Sequence, residues 1–295
     1  MSARILDGRS VARAVVEELR DRIAAESGGG RPPGLAAVLV GEDPASKVYV
    51  RNKLKTCERC GIESFLHQLP ESVAEKQVAE LLDALTEEER VDGILLQLPL
   101  PRRLDSQALL RRLDPRKDVD GLHPANLGKL LADDPSGFVP CTPAGVLELL
   151  GRCGVEVEGR RAVIVGRSNL VGKPLALLLL RRARLGNATV TVVHTKSREV
   201  PELVREAEIL VAAAGSPRFV QGEWLRPAAT VIDVGVHRLP DATGEGRTEL
   251  VGDVDFAAAV QVAGAITPVP GGVGPMTVAM LMRNTTLAWS RNRRT

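Results

Sequence analysis

One stretch of this chain sets an aromatic ring beside an amine. In SKVYVRNK, residues 46–53, Tyr49 and Lys53 are four positions apart in a run with helical character. That spacing puts both side chains on one helix face, one turn from each other. A ring next to an amine suggests a platform for a flat substrate beside a group that shuttles protons. The same spacing also fits a surface lysine lying along a half-buried tyrosine. Tyr49 is the single tyrosine, and only eight of the 39 basic residues are lysines. Arginine stays charged in a protein whereas a lysine can be tuned, so each lysine here says more than usual. To act as a base, Lys53 must shed its proton, which burial or a nearby cation favours. A Lys53 that keeps its charge would orient the substrate instead, and both roles stay open.

Three other segments carry polar chemistry. GILLQLPLP, residues 93–101, reads as a buried strand with one amide, Gln97, near its carboxyl end, where ligands of parallel sheets bind. Gln97 would hydrogen-bond a substrate there or satisfy backbone at the sheet edge. KDVDGL sets Asp118 and Asp120 ahead of Gly121. No further acid or histidine stands at ligand spacing, so no metal is expected. A carboxylate accepting two parallel N–H donors from an aminopyrimidine is another use of the same group. PVPGGVGPMT, residues 268–277, combines restriction with three glycines. Such a loop lets backbone approach a flat ligand closely, or serves as a linker.

The fourth segment points to a dinucleotide. AVIV is followed by GRSNLVGKP, residues 166–174, and then an apolar helix. Strand, glycine turn and helix start direct backbone N–H groups and the helix dipole at a pyrophosphate. The spelling GxSxxxGxP meets the general GxGxxG fingerprint only in part. The next strand ends in HTKSR, residues 194–198, where an NAD site would place an acid on the ribose 2′-hydroxyl. Arg167, Thr195, Lys196 and Arg198 suit a 2′-phosphate instead, which favours NADP.

These residues need a frame that alternates strands with helices. Strands are expected at 35–40, 62–68, 93–98, 162–165, 189–193, 209–213 and 230–234. Helices are expected at 11–25, 45–60, 73–85, 143–152 and 173–185. Such alternation argues for an α/β protein with largely parallel sheets. A Pro-bracketed break at 137–142 sets the domain boundary. Residues 1–139 form the first domain, completed by a terminal helix 276–295, and residues 140–275 form the second. Of 295 residues, 44% are hydrophobic and 26% charged, with net charge +2. That balance gives no field for nucleic acid or an anionic membrane. No signal peptide and no membrane-spanning run are expected, so a cytoplasmic location follows by default. Cys57 and Cys60 form a CxxC. Without a second pair for zinc, and late in a helix rather than at a strand-to-helix turn, they read as structural thiols.

Taken together these segments resemble the bifunctional methylenetetrahydrofolate dehydrogenase/methenyltetrahydrofolate cyclohydrolase family. The likeness runs from ILDG to the last helix, through GEDPASKVYVRNK, DGILLQLPLP, KDVDGLHPANLGKL, PCTPAG, VGRSNLVGKP, VIDVG and ITPVPGGVGPMT. It implies an α/β substrate domain and a Rossmann-type NADP domain with the folate in a cleft between them, typically in a homodimer. The family's catalytic lysine falls on Lys53, its ordering tyrosine on Tyr49, its glutamine on Gln97 and its pterin-binding aspartate on Asp120. Folate contacts fall on these four with Leu96, Leu98, Pro270, Gly271, Gly272, Val273, Gly274, Pro275 and Thr277. NADP contacts fall on Gly166, Arg167, Ser168, Thr195 and Val236. The implied activity is NADP-dependent oxidation of 5,10-methylenetetrahydrofolate and hydrolysis of the 5,10-methenyl product to 10-formyltetrahydrofolate. One rival is an NADP-dependent dehydrogenase of another small substrate, such as a cyclic hydroxy acid. A second is a dinucleotide sensor without catalysis.

Overall fold

The computed structural model describes residues 2–240 and 248–293. The chain divides into two compact units, one of Arg13–Cys141 with Val278–Thr295, the other of Met1–Ala12 with Thr142–Thr277. The sequence-derived boundary groups residues 1–139. In the structure the first strand, β1 (Arg4–Ile5), pairs within the second unit's sheet. Residues 294–295 of the expected terminal helix lie outside the described residues.

In the first unit a parallel sheet of three strands runs in the order β3 (Glu63–Leu69), β2 (Gly34–Val40), β4 (Gly93–Leu96). Every residue of β2 is buried, as its unbroken apolar spelling GLAAVLV requires of a strand covered on both faces. The apolar face of α3 (Glu75–Glu87) buries Val78, Leu82 and Leu85 beside Val38, Ile94 and Leu96. Each such leucine contributes about 2 kcal/mol through burial. Strand β4 is two residues shorter than the sequence suggests. Gln97 still donates its N–H to the Val38 carbonyl at 2.9 Å, but Pro99 has no N–H to extend the ladder.

Helix α2 (Pro44–Cys60), which carries Tyr49 and Lys53, is stopped at both ends by local chemistry. The Asp43 carboxylate accepts the Ser46 N–H at 2.7 Å, and Pro44 occupies the first helical position. Gly61 closes the helix at φ 79°, and the Ile62 N–H reaches the Cys57 carbonyl at 2.9 Å. Its buried stripe is Ser46, Val50, Lys53, Cys57 and Cys60. The CxxC pair is therefore core-facing, and burial pushes the Cys57 thiol up to about 12 and Cys60 to about 11.

The second unit holds a six-stranded, all-parallel sheet. Its order is β1, β11 (Ala265–Ile266), β8 (Thr230–Asp233), β7 (Ile209–Ala212), β5 (Arg161–Val165), β6 (Thr189–Val193). The chain leaves β5 toward β6 and then crosses to β7 on the other side, so a topological switch lies between β5 and β7. Strands β9 (His237–Pro240) and β10 (Thr248–Val251) add an antiparallel pair that the periodicity did not announce. Helix α7 (Gly172–Leu180) ends five residues before the expected Leu185. There the chain folds back, with the Asn187 N–H on the Arg181 carbonyl at 3.0 Å and the Ala188 N–H on the Leu179 carbonyl at 2.9 Å. Helix α10 (Val273–Asn292) starts three residues earlier than Met276. Pro275 is accommodated in its first turn, where N–H groups have no helical acceptor. No helix among the described residues is long and apolar enough to cross a membrane.

Candidate active site

Two neighbouring elements of the first unit converge on one polar contact. Lys53 points from the buried stripe of α2, and Gln97 stands immediately beyond the carboxyl end of β4. The Lys53 ammonium donates to Gln97 Oε1 at 2.9 Å, with the residues 9% and 8% exposed. The Gln97 amide N–H₂ turns back to the Leu98 carbonyl, which fixes Oε1 toward the lysine. Leu96 is buried as the last residue of β4, Leu98 is half-buried, and Tyr49 keeps 39% of its surface exposed one turn before Lys53.

Asp120 is half-buried in a loop held rigidly by its neighbours. Asp118, two residues earlier, is buried and accepts the His123 N–H and the Asn126 amide, both at 2.8 Å. Burial raises the Asp118 carboxyl despite these donors. Gly121 at φ 74° leaves no room for a side chain, since a Cβ would stand 2.6 Å from the Val139 carbonyl carbon. Asn284 ties the loop down, donating to the Val119 carbonyl at 2.9 Å and the Val139 carbonyl at 3.0 Å. Cys141 lies beside this group: burial raises its thiol most, the Asp120 charge raises it further, and Lys53 opposes. Lys53, Gln97, Asp120 and the Cys141 thiol thus share one neighbourhood. Sequence reasoning assigned Cys141 no role. It had no warning either that Asp118 and Asn126 brace the loop, because only folding brings them together.

The second unit carries the glycine turn. Gly166 follows β5 at φ 124°, and a Cβ there would stand 2.0 Å from the Ala213 carbonyl oxygen. A Cβ on Gly172 would stand 2.1 Å from the Gly166 carbonyl oxygen. Both positions therefore demand glycine, as a tight strand-to-helix turn does. Arg167 and Ser168 are exposed on the turn; the Ser168 hydroxyl accepts the Val171 N–H at 3.1 Å. Because Val165 registers with Val193, the 166–168 turn and the 194–198 loop emerge side by side at the same end of the sheet. Thr195, Lys196 and Arg198 are exposed there. Val236, beyond β8, is 42% exposed. Arg167, Lys196 and Arg198 thus set exposed cations on two adjacent loops at one end of the sheet.

The 268–277 loop sits against the start of α1 (Gly8–Ser27). The Arg9 N–H donates to the Gly271 carbonyl at 3.1 Å, Gly271 adopts φ 116°, and a Cβ on Gly8 would stand 1.8 Å from the Gly272 carbonyl oxygen. Pro270 precedes this pair. Val273, Gly274 and Pro275 form the first turn of α10, and Gly274 faces open space. The Thr277 hydroxyl shares a 3.0 Å hydrogen bond with Thr142.

The family model for the catalytic domain of tetrahydrofolate dehydrogenase/cyclohydrolase matches residues 6–120, and that for its NAD(P)-binding domain matches residues 140–293. The chain belongs to this family. Among curated relatives, the bifunctional protein FolD of Brucella anthropi is 50% identical over 98% of this chain and 97% of its own length. FolD 3 of Rhizorhabdus wittichii is 51% identical over 98% of this chain and 93% of its own. Among solved structures, the FolD methylenetetrahydrofolate dehydrogenase-cyclohydrolase of Trypanosoma brucei, complexed with NADP cofactor and inhibitor, is 41% identical. It superposes with TM-score 0.94, covering 100% of both chains. This dehydrogenase/cyclohydrolase is thus a bifunctional enzyme of tetrahydrofolate one-carbon metabolism, with a catalytic and an NAD(P)-binding domain.

Proposed function

We propose that the chain oxidises 5,10-methylenetetrahydrofolate with NADP and hydrolyses the resulting 5,10-methenyl cation to 10-formyltetrahydrofolate, with Lys53 and Gln97 serving the hydrolytic step. The observation that carries this reading is the buried ammonium of Lys53 held by Gln97 at 2.9 Å beyond the carboxyl end of β4. NADP, when bound, supplies the hydride acceptor. Gly166, Arg167 and Ser168 hold its phosphates with backbone and side-chain donors, and Thr195 with the neighbouring cations takes the 2′-phosphate. No acid stands at 194–198, directly after β6, to favour a free ribose hydroxyl. Val236 adds an apolar contact.

On the folate side, Tyr49 stacks beside the pterin and Asp120 accepts the paired N–H donors of its aminopyrimidine. Leu96 and Leu98 line the ring, and the backbone of Pro270–Thr277 approaches it closely. Lys53 faces a substrate that becomes more positive on oxidation and loses that charge when water adds. Its amine, oriented by Gln97 Oε1, manages the proton released as the ring opens. A homodimer and a cytoplasmic location complete the proposal. Light scattering at about twice 31.6 kDa checks the dimer.

The test is NADPH formation from methylenetetrahydrofolate, followed by decay of methenyl absorbance. Lys53→Met is expected to abolish the decay; normal hydrolysis by that variant would remove the lysine from its role. Replacement of the folate by cyclic hydroxy acids is expected to give no NADPH.

A further inference from the structure

One buried cluster in the second unit is not used by either step above. Asp253, 0% exposed, has no lysine or arginine against it among the described residues; its carboxylate instead takes three N–H donors. Oδ2 accepts the Gly215 N–H at 3.0 Å, and Oδ1 accepts the Ser216 N–H at 3.1 Å and the His237 Nε2–H at 2.7 Å. We propose that Asp253 is a positioning residue for dinucleotide binding: it fixes the backbone turn at Gly215–Ser216, and His237 secures its carboxylate. This rests on the reading that the dinucleotide lies at the carboxyl ends of β5 and β7.

Three observations carry the inference. The first is where the turn sits. Ala213 follows β7, donates to the Val165 carbonyl at 2.8 Å, and presents the carbonyl oxygen that a Cβ on Gly166 would strike. The segment after β7 is therefore the wall facing the glycine turn across the topological switch, where ligands of such sheets bind.

The second is what the turn presents. Gly215 and Ser216 are exposed, Gly215 adopts φ 69°, and nothing lies within 4 Å of the place its Cβ would occupy. The outer surface is bare backbone open to a ligand, while its N–H groups are spent inward on Asp253. An exposed turn without a ladder would otherwise be free to move. A carboxylate accepts only, so one buried side chain can bind two successive N–H groups and hold both in a fixed direction.

The third is how tightly Asp253 itself is placed. Its own N–H donates to Asp233 Oδ1 at 2.9 Å, the Val254 N–H donates to Asp233 Oδ2 at 2.9 Å, and the Gly235 N–H donates to Asp233 Oδ1 at 2.9 Å. A Cβ on Gly235 would stand 2.3 Å from Asp253 Oδ1, so the Gly235 backbone packs directly on that carboxylate. Burying a carboxylate without a cation is costly, and the cost is met only by complete hydrogen bonding. His237 directly follows Val236, the residue proposed against the cofactor, so both ends of the network reach the same site.

The experiment uses the full-length enzyme and three variants, reading KM for NADP and kcat in methylenetetrahydrofolate oxidation. Methenyl hydrolysis, which consumes no dinucleotide, is read on the same preparations. His237→Leu removes the donor to Asp253 and is expected to raise KM for NADP about tenfold, with kcat and methenyl hydrolysis within about twofold of wild type. His237→Gln restores an N–H donor and is expected to recover most of that loss. A KM for NADP within about twofold in His237→Leu, or an equal loss in both His237 variants, overturns the role of the network. So does a loss in methenyl hydrolysis matching the loss in oxidation, which would mark a general structural defect. Arg167→Glu tests the underlying reading separately by placing a carboxylate on the glycine turn. If it leaves KM for NADP unchanged, the site is misplaced and the inference falls with it. If it raises KM while His237→Leu does not, the inference about Asp253 alone is refuted.

Discussion

Replacing Gln97 with leucine keeps the side-chain volume and removes the oxygen that holds the Lys53 amine. The bond is 2.9 Å long between residues that are both more than nine-tenths buried, so water does not compete for it. A hydrogen bond to a charged group in such a place is worth about 1.5–3 kcal/mol. At about 1.4 kcal/mol per factor of ten, methenyl hydrolysis by Gln97→Leu should fall about 10- to 150-fold. NADPH formation should fall less, because the role proposed for Gln97 is in the ring opening. The assay is decay of methenyl absorbance for wild type, Gln97→Leu, Lys53→Met and the double variant. If Gln97 acts through Lys53, the double variant is no slower than Lys53→Met alone. A Gln97→Leu enzyme within about twofold of wild type, or losses that multiply in the double variant, would refute the reasoning.

Gly166→Ala sets a Cβ 2.0 Å from the Ala213 carbonyl oxygen at φ 124°, and should cost about 2 kcal/mol or more. Thermal melting should then fall by about 4 °C or more, together with NADP affinity; an unchanged melt would contradict the packing of that turn. Burial lifts all four thiols, but Cys57, Cys60 and Cys141 are buried and Cys153 only half-buried, so mass spectrometry after brief alkylation at pH 8 should find only Cys153 labelled quickly. Rapid labelling of Cys57 would show that α2 opens. Burial pushes Asp233 up to about 6 from 3.8, so the folded state holds its proton more tightly than the unfolded chain does. Its contribution to stability is full below pH 3.8 and is lost as pH rises through about 6. A carboxyl carbon titrating near pH 6 by NMR checks this, and a midpoint below about 4 would refute it.

Most of the frame was legible because its strands are spelled as buried parallel strands are: GLAAVLV, AVIV and ILVA leave little else to form. The strands at 189–193 and 93 onward begin where the sequence places them. What escaped notice is short or depends on distant partners. Strands β1 and β11 have two residues each, too few for any period, and exist because a neighbouring strand supplies the hydrogen bonds. Helix α7 stops early for a fold-back that no glycine or proline between Leu180 and Leu185 announces. At the site, helical spacing made Tyr49 and Lys53 visible as a pair, but Lys53 is on the buried stripe with Val50 and Cys57. A lysine at core spacing was a stronger signal than the aromatic neighbour. Asp233, Asp253 and His237 left only the clue of acids beside glycines in VIDVG and GDVD.

The parallel register of β5 with β6 has a consequence for how this enzyme can change. Two loops about thirty positions apart along the chain are made neighbours by hydrogen bonds that involve none of their own side chains. One loop is bound by its crowded glycines and tolerates almost no editing. The other is exposed and free of such crowding. On the proposed reading, in which positions 195–198 take the 2′-phosphate, a preference for one nicotinamide carrier over its phosphorylated twin would be rewritten there while the crowded glycines, and the sheet beneath both loops, stay as they are.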